Sequence, residues 1–327
     1  MSFPAFPPTE VGEVLMVCTC YEDGTARWGE LLDEIAGRRE GEVLLAGADG
    51  ARLRPIQDIG WHFLPGGHAP ALAANSGPVP PAIVLADIPA VYGGSGPLLV
   101  DLVVTPGRGI RVPAPQLGDI LAALLGCTIT FDDLVRDMDV CGTYRGDGGE
   151  PAYPAPTGLA RRDFPALPRA SEVMLVRTDF DDEAGWCALL DELGGTDDDG
   201  WVGAELDPDE IDLDHYPLTA FVVDDRAFEG LSPGQVPALI PLPSEHNRES
   251  SALVVLADSR TFTEPGRPLT AVDLYDTPGQ PAVLPSRMVG SLANNLEISN
   301  MDFYEFVAVR DTEPWWEDFA PDSTGAP

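Results

Sequence analysis

Short apolar runs alternate with helical spacing of apolar residues along this chain. VMLVRT (residues 173–178) is a compact apolar run with a polar end and predicts a buried strand. Asp181 or Asp182 then predicts a helix cap, and Trp186, Leu189, Leu190 and Leu193 recur at the spacing of one helix face. Residues 201–206 and 218–223 predict strands, and 232–240 a short helix. Residues 252–258 and 269–275 predict two more strands, with EPGRP in the loop of a hairpin between them. A helix is expected from Ser286, carrying Val289, Leu292, Ala293 and Leu296, and a further helical turn at Phe303, Phe306 and Val307. The order is β-α-β-β-α-β-β-α, which predicts an α/β architecture, a mixed sheet with flanking helices.

The same pattern occurs earlier in the chain. VLMVCTCYEDGTARWGELLDEI (14–35) aligns with VMLVRTDFDDEAGWCALLDEL (173–193), Thr19 meeting Thr178 and Trp28 meeting Trp186. LPGGHAPAL (64–72) meets LSPGQVPAL (231–239), AIVLAD (82–87) meets LVVLAD (253–258), and LVVTPG (102–107) meets LYDTPG (274–279). The offset is 159 at first, falls to 158 after a one-residue gap, and then rises through 167 and 171 to 172. A rising offset is what loop insertions between two copies of one unit produce. Trp28, Leu31, Leu32 and Ile35 repeat the first helix face, and Gly37 and Gly194 are expected to stop the two helices in left-handed backbone. The expected organisation is a first copy over 10–141, a Gly- and Pro-rich linker over 142–171 and a second copy over 172–320, folded together as a pseudo-dimer.

Four segments of the second copy carry a resemblance: RTDFDDEAGW, VVDDRAFEGLSP, LVVLADSRTFTEPGRPLTAVDLYD and NNLEISNMDFYEF. Together they are similar to an actinobacterial family described only as a domain of unknown function. The likeness covers about residues 172–309, and residues 13–141 look like a diverged member. It implies no activity, cofactor or catalytic residue.

Charge changes the picture. The chain has 327 residues, 54 acidic against 19 basic, and a formal net charge of −35. Such a balance repels nucleic-acid backbones and anionic lipid, so neither is an expected partner. All 19 basic residues are arginine. Without lysine, Schiff-base chemistry and the phosphate-loop lysine are excluded. Residues 1–150 hold 20 acids and nine arginines, so the remaining 34 acids and ten arginines lie in 151–327. Between Asp179 and Asp225 there are seventeen acids and no arginine. Asp197, Asp198, Asp199, Asp207, Asp209, Glu210, Asp212 and Asp214 therefore form a candidate surface for a basic protein partner, set against the plainer reading of a solvated acidic loop. Calcium is not indicated, because neither TDDDGW nor DPDEIDLDH has the glycine and glutamate placing of an EF-hand loop.

Ligands in open α/β sheets gather at the carboxyl ends of strands. In the second copy that edge collects Asp179, Asp181, Asp225, Arg226 and Asp258, a candidate ligand or partner site whose plainer reading is helix capping. In the first copy Asp58 and Asp87 hold the matching places. The histidines His62, His68, His215 and His246 lack metal-site spacing, and no serine lies in a GxSxG elbow. Five cysteines without CxxC spacing fit reduced thiols, with Cys18 and Cys20 packed in the core. Trp315 and Trp316 form a candidate aromatic anchor unless they dock back on their own domain. No apolar run of signal-peptide or membrane-span length is present, which predicts a cytoplasmic protein.

These features lead to a non-catalytic acidic interaction protein of the immunity or inhibitor kind, binding a basic protein surface through the second copy. No catalytic residue, metal or cofactor is expected. The alternatives are an enzyme or small-ligand-binding protein using the second copy's strand-end carboxylates, and a structural subunit of a larger assembly.

Overall fold

The computed structural model describes residues 3–73, 79–146, 163–170, 172–203, 216–243, 251–309, 312, 314 and 315. The first copy runs β1 (Glu13–Cys18), β2 (Tyr21–Glu22), β3 (Thr25–Ala26), α1 (Gly29–Glu34), β4 (Arg38–Glu40), β5 (Val43–Ala46), β6 (Ala51–Gln57), α2 (Ala69–Ala73), β7 (Ala82–Ala86), α3 (Ile88–Tyr92), β8 (Leu98–Asp101), β9 (Gly109–Arg111), α4 (Leu117–Leu125) and α5 (Phe131–Arg136). The second runs β10 (Met174–Arg177), α6 (Glu183–Glu192), β11 (Trp201–Val202), β12 (Ala220–Val223), β13 (Leu253–Ala257), α7 (Ser259–Thr263), β14 (Leu269–Asp273), β15 (Pro281–Leu284) and α8 (Ser286–Glu297), followed by a 3-10 turn at Phe303–Phe306. Among the described residues no helix is long and apolar enough to cross a membrane.

The first sheet has the order β4-β5-β6-β1-β7-β8-β9 and the second β11-β12-β10-β13-β14-β15. In each, three central strands are parallel and the flanking strands antiparallel. Register repeats as well as order. Val17 pairs with Ile56 and Val176 with Val223; Met16 pairs with Val84 and Leu175 with Val255. Leu98 pairs with Arg111 and Thr270 with Val283, so each partner is displaced by the offset its own segment shows in the sequence. A one-residue slip would turn every core side chain to the other face, so matched registers mean one fold made twice.

Alternate residues explain the burial. Leu15 and Val17, Ile83 and Leu85, and Leu98 and Val100 stand on one face of the first sheet and pack against Trp61, Leu64 and Leu72 from the connection between β6 and β7. The chain also divides into two compact units by contact. One comprises Met1–Arg169, Gly234–Ser250 and Leu274–Gln280, the other Ala170–Pro233, Ser251–Asp273 and Pro281–Pro327.

Several expected elements are corrected. The helix expected over 232–240 is two 3-10 turns, Pro233–Gln235 and Pro237–Leu239, because each proline lacks the N–H that an α-ladder needs. A short helix, α7, precedes the EPGRP loop, and β15 was not foreseen, so the simple element order is incomplete. Gly194 is left-handed at φ +99°, but at the end of α1 that conformation falls on Ala36, φ +54°. Gly37 is required for space instead, since a Cβ there would lie 2.5 Å from Leu44 Cγ. Part of the linker, residues 147–162 and 171, lies outside the described residues.

Candidate functional site

In both sheets the chain leaves the central strand to one side and returns on the other, so β1 lies between β6 and β7, and β10 between β12 and β13. The carboxyl ends of such strands frame the crevice where α/β folds place ligands. The carboxyl edges of the two sheets have the same backbone. Thr19 N–H donates to Ala86 O at 3.0 Å and Thr178 N–H to Ala257 O at 2.9 Å. Asp58 accepts from Gly60 N–H at 2.8 Å, and Asp225 from Ala227 N–H at 2.8 Å, each capping a 3-10 turn. Asp87 caps α3 and Asp258 caps α7.

The second sheet brings Asp179, Asp225 and Asp258 to the ends of three neighbouring parallel strands. Asp179 accepts from Asp181 N–H at 3.0 Å, and Asp258 accepts from Arg260 N–H and Thr270 Oγ1, both at 2.9 Å. These carboxylates are engaged in caps and turns. Asp181 is exposed, and Arg226, also exposed, lies over the Phe180 ring at 5.0 Å. The residue at the centre of this edge is Arg177, which the sequence reading did not single out. It is buried, and its guanidinium lies 4.5 Å from the Phe180 ring centre and 5.3 Å from that of Trp186. Its Nε donates to Asp179 O at 3.0 Å, and Nη1 reaches Glu183 Oε2 at 2.8 Å and Asp224 Oδ1 at 3.4 Å. Trp186 Nε1 donates to the other Asp224 oxygen at 3.0 Å. The signal available beforehand was a lone arginine in an apolar strand nine residues from a tryptophan repeated in both copies.

Asp197 is half-buried and accepts from Asp199 N–H at 3.0 Å and Trp201 N–H at 2.7 Å, whereas Asp198 and Asp199 are exposed. Asp207, Asp209, Glu210, Asp212 and Asp214 lie outside the described residues, as do Trp316, His215 and His246. Trp315 packs on Phe306 with ring centres 5.5 Å apart and donates to Glu305 O at 3.0 Å, the docked arrangement. Among the described residues no group of three or more His, Cys, Asp and Glu could hold a metal ion.

The first sheet's edge holds a shallow crevice, open to solvent, lined by Thr19, Phe63, Leu64, Asp87, Ile88 and Tyr275 with Gly66, Leu98 and two prolines. Asp87 turns its carboxylate to Arg111, which is buried, in a two-pronged pair at 3.1 and 2.9 Å. Arg111 Nη2 also donates to Asp276 O at 2.5 Å. His62 stacks on Phe63 at 3.8 Å, and its Nδ1 lies 3.3 Å from Tyr21 N. His68, by contrast, is buried with neither ring nitrogen hydrogen-bonded, and burial depresses its pKa to about 4. Cys18 and Cys20 are buried free thiols, and burial raises the pKa of both, which makes them poor nucleophiles.

No curated protein and no solved structure matches the chain. A family model does match, twice, over residues 13–147 and 172–319, the two copies that share one strand register. The chain belongs to the family described as "Domain of unknown function (DUF6924)", of which it holds two tandem copies.

Proposed function

We propose that the protein is a non-catalytic binding protein whose second repeat engages a basic protein surface, in the manner of an inhibitor or immunity protein. The observation that carries this reading is the carboxyl edge of the second sheet. Strands β12, β10 and β13 are parallel, so the loops after them fall on one side of the sheet and bring Asp179, Asp181, Asp182, Asp224, Asp225 and Asp258 to one edge. Arg177, the cation at its centre, is buried, stacked on aromatic rings and paired with Glu183 and Asp224. What solvent meets is a mainly anionic rim. A single-sign rim of this kind accelerates encounter with a cationic surface and fixes orientation more than it adds raw affinity.

The engagement of Asp179, Asp225 and Asp258 by backbone N–H groups supports binding over acid–base catalysis at this edge. Asp181, Asp198 and Asp199 are exposed, so replacing them by asparagine should leave the fold intact. Affinity capture from the native host with the wild type and with this triple variant tests the reading. A partner retained by the wild type should be lost or weakened with the variant. It should also elute in about 1 M salt, where charges are screened beyond about 3 Å. Equal retention, with unchanged circular dichroism, overturns the proposal.

A further inference from the structure

The carboxyl edges of the two sheets share their backbone but not their surface. Counting on from the caps Asp58 and Asp225 sets Ile59 against Arg226 and Phe63 against Gly230; counting on from Asp87 and Asp258 sets Ile88 against Ser259 and Tyr92 against Thr263. At all four positions the first repeat exposes an apolar or aromatic side chain: Ile59 is 59% exposed, Phe63 55%, Ile88 37% and Tyr92 48%. Phe63 and Ile88 line one crevice together with Tyr275, which is 51% exposed and comes from the second repeat's segment Leu274–Gln280, part of the same compact unit as the first sheet. Scattered exposed apolar residues need no explanation, but a group gathered at a concavity marks an interaction site.

Phe63 sharpens the argument. Its backbone is left-handed, φ +59°, a conformation that costs a residue with a side chain on the order of 1 kcal/mol and that Gly230 adopts at φ +76° without that cost. The turn itself needs only a glycine. The phenyl ring is not buried for its trouble; it is half exposed and backed by His62. Strain and exposure at one residue are left without purpose by folding alone. The charged groups beside this apolar floor are mostly acidic. Glu22 lies against Tyr92 and 3.8 Å from Arg27, Asp87 and Asp276 lie near Tyr275, and Arg111 is paired with Asp87.

We propose that the crevice of the first repeat docks an apolar side chain carried on a basic segment of a partner protein. The apolar floor takes the anchor residue, and the acidic rim complements the flanking arginines or lysines. A second copy of this chain is disfavoured as occupant, because net charge −35 would set acidic rim against acidic rim. The site lies on the first sheet, and its test is independent of the acidic edge of the second.

The test uses capped, dye-labelled heptapeptides with a central Leu-Trp-Leu flanked by two arginines on each side. One control carries glutamates in place of the arginines and another a Ser-Ser-Ser centre. Binding to the full-length protein is read by fluorescence anisotropy, with analytical ultracentrifugation alongside. The arginine-flanked apolar peptide is expected to bind at micromolar concentration, and both controls at least about tenfold more weakly. F63G and I88S, each installing the residue of the other repeat, should also weaken it about tenfold, while the Asp181, Asp198 and Asp199 triple variant should not. Should F63G fail to fold, I88S carries the test. The proposal is overturned if no peptide binds, if either control binds equally, or if neither F63G nor I88S weakens binding. Loss in the triple variant instead would assign the contact to the second repeat, and self-association abolished by I88S would assign the crevice to another copy of the chain.

Discussion

Phe63 and Gly230 hold the same place in two copies of one fold. The N–H of each donates to the carbonyl of a matched threonine, Thr19 at 3.0 Å and Thr178 at 2.8 Å, and both residues are left-handed. Duplication kept the backbone and let the surface diverge. One repeat carries an acidic edge around a buried arginine, the other an open aromatic crevice. The strain at Phe63 should be visible in stability. F63G is expected to leave the unfolding midpoint within a few degrees of wild type, because relief of about 1 kcal/mol offsets the lost ring contact. Gly230→Ala should lower stability by about 1 kcal/mol. Urea denaturation checks both, and a large loss in F63G with none in Gly230→Ala contradicts the assignment.

Asp87 and Asp258 are matched caps with unequal duties. Each cap contributes about 1 kcal/mol. Asp87 also pairs with Arg111, a buried guanidinium, and removing one partner of a buried charge pair costs about 3–5 kcal/mol. Asp87→Ala should therefore destabilise by clearly more than Asp258→Ala, whose further partner is the Thr270 hydroxyl. Equal losses in chemical denaturation would show that the Arg111 pair contributes little.

Arg177 should resist conservative replacement. Its planar guanidinium stacks on Phe180 and donates from separate nitrogens to Asp179 O and to Glu183, which an ammonium cannot reproduce. Glu183 and Asp224 are well exposed, so they can regain water when the arginine goes, and the loss is smaller than for a fully buried pair. Arg177→Lys and Arg177→Met should each cost about 2 kcal/mol. A lysine variant as stable as wild type would make Arg177 a simple charge.

His68 ties stability to pH. Buried and neutral, it titrates near 4 in the fold against about 6.5 when unfolded, so the unfolded chain takes up the proton first. Its contribution is intact above about pH 6.5 and is lost as pH falls toward 4, by about 3 kcal/mol in all. The variant H68Q, which installs the residue found at the matching Gln235, should lack that component. The stability difference between the two proteins, followed from pH 7 to pH 4, should change by about that amount; a flat difference refutes the assignment.

Thiol labelling separates the cysteines. Cys18 and Cys20 are buried with raised pKa, whereas Cys127, Cys141 and Cys187 are exposed. A disulfide reagent at pH 8 should titrate three thiols in the native protein and five after denaturation. Rapid reaction of Cys18 or Cys20 would contradict the buried pair.

Local physics made much of this protein legible in advance. Duplication shows in the rising offsets because the apolar pattern of a strand pair is tied to its register. Asp58, Asp87, Asp182, Asp225 and Asp258 are legible as caps because a short acceptor side chain before a helix or turn satisfies its own neighbour's N–H. The acidity of the second repeat is a matter of counting. Tertiary structure decided the rest. That Arg177 is buried between aromatic rings, that Asp87 faces Arg111 from 24 residues away, and that Phe63, Ile88 and Tyr275 meet at one crevice depend on which strands lie side by side. Strand order is set by the packing of non-local faces, and no window of sequence contains it.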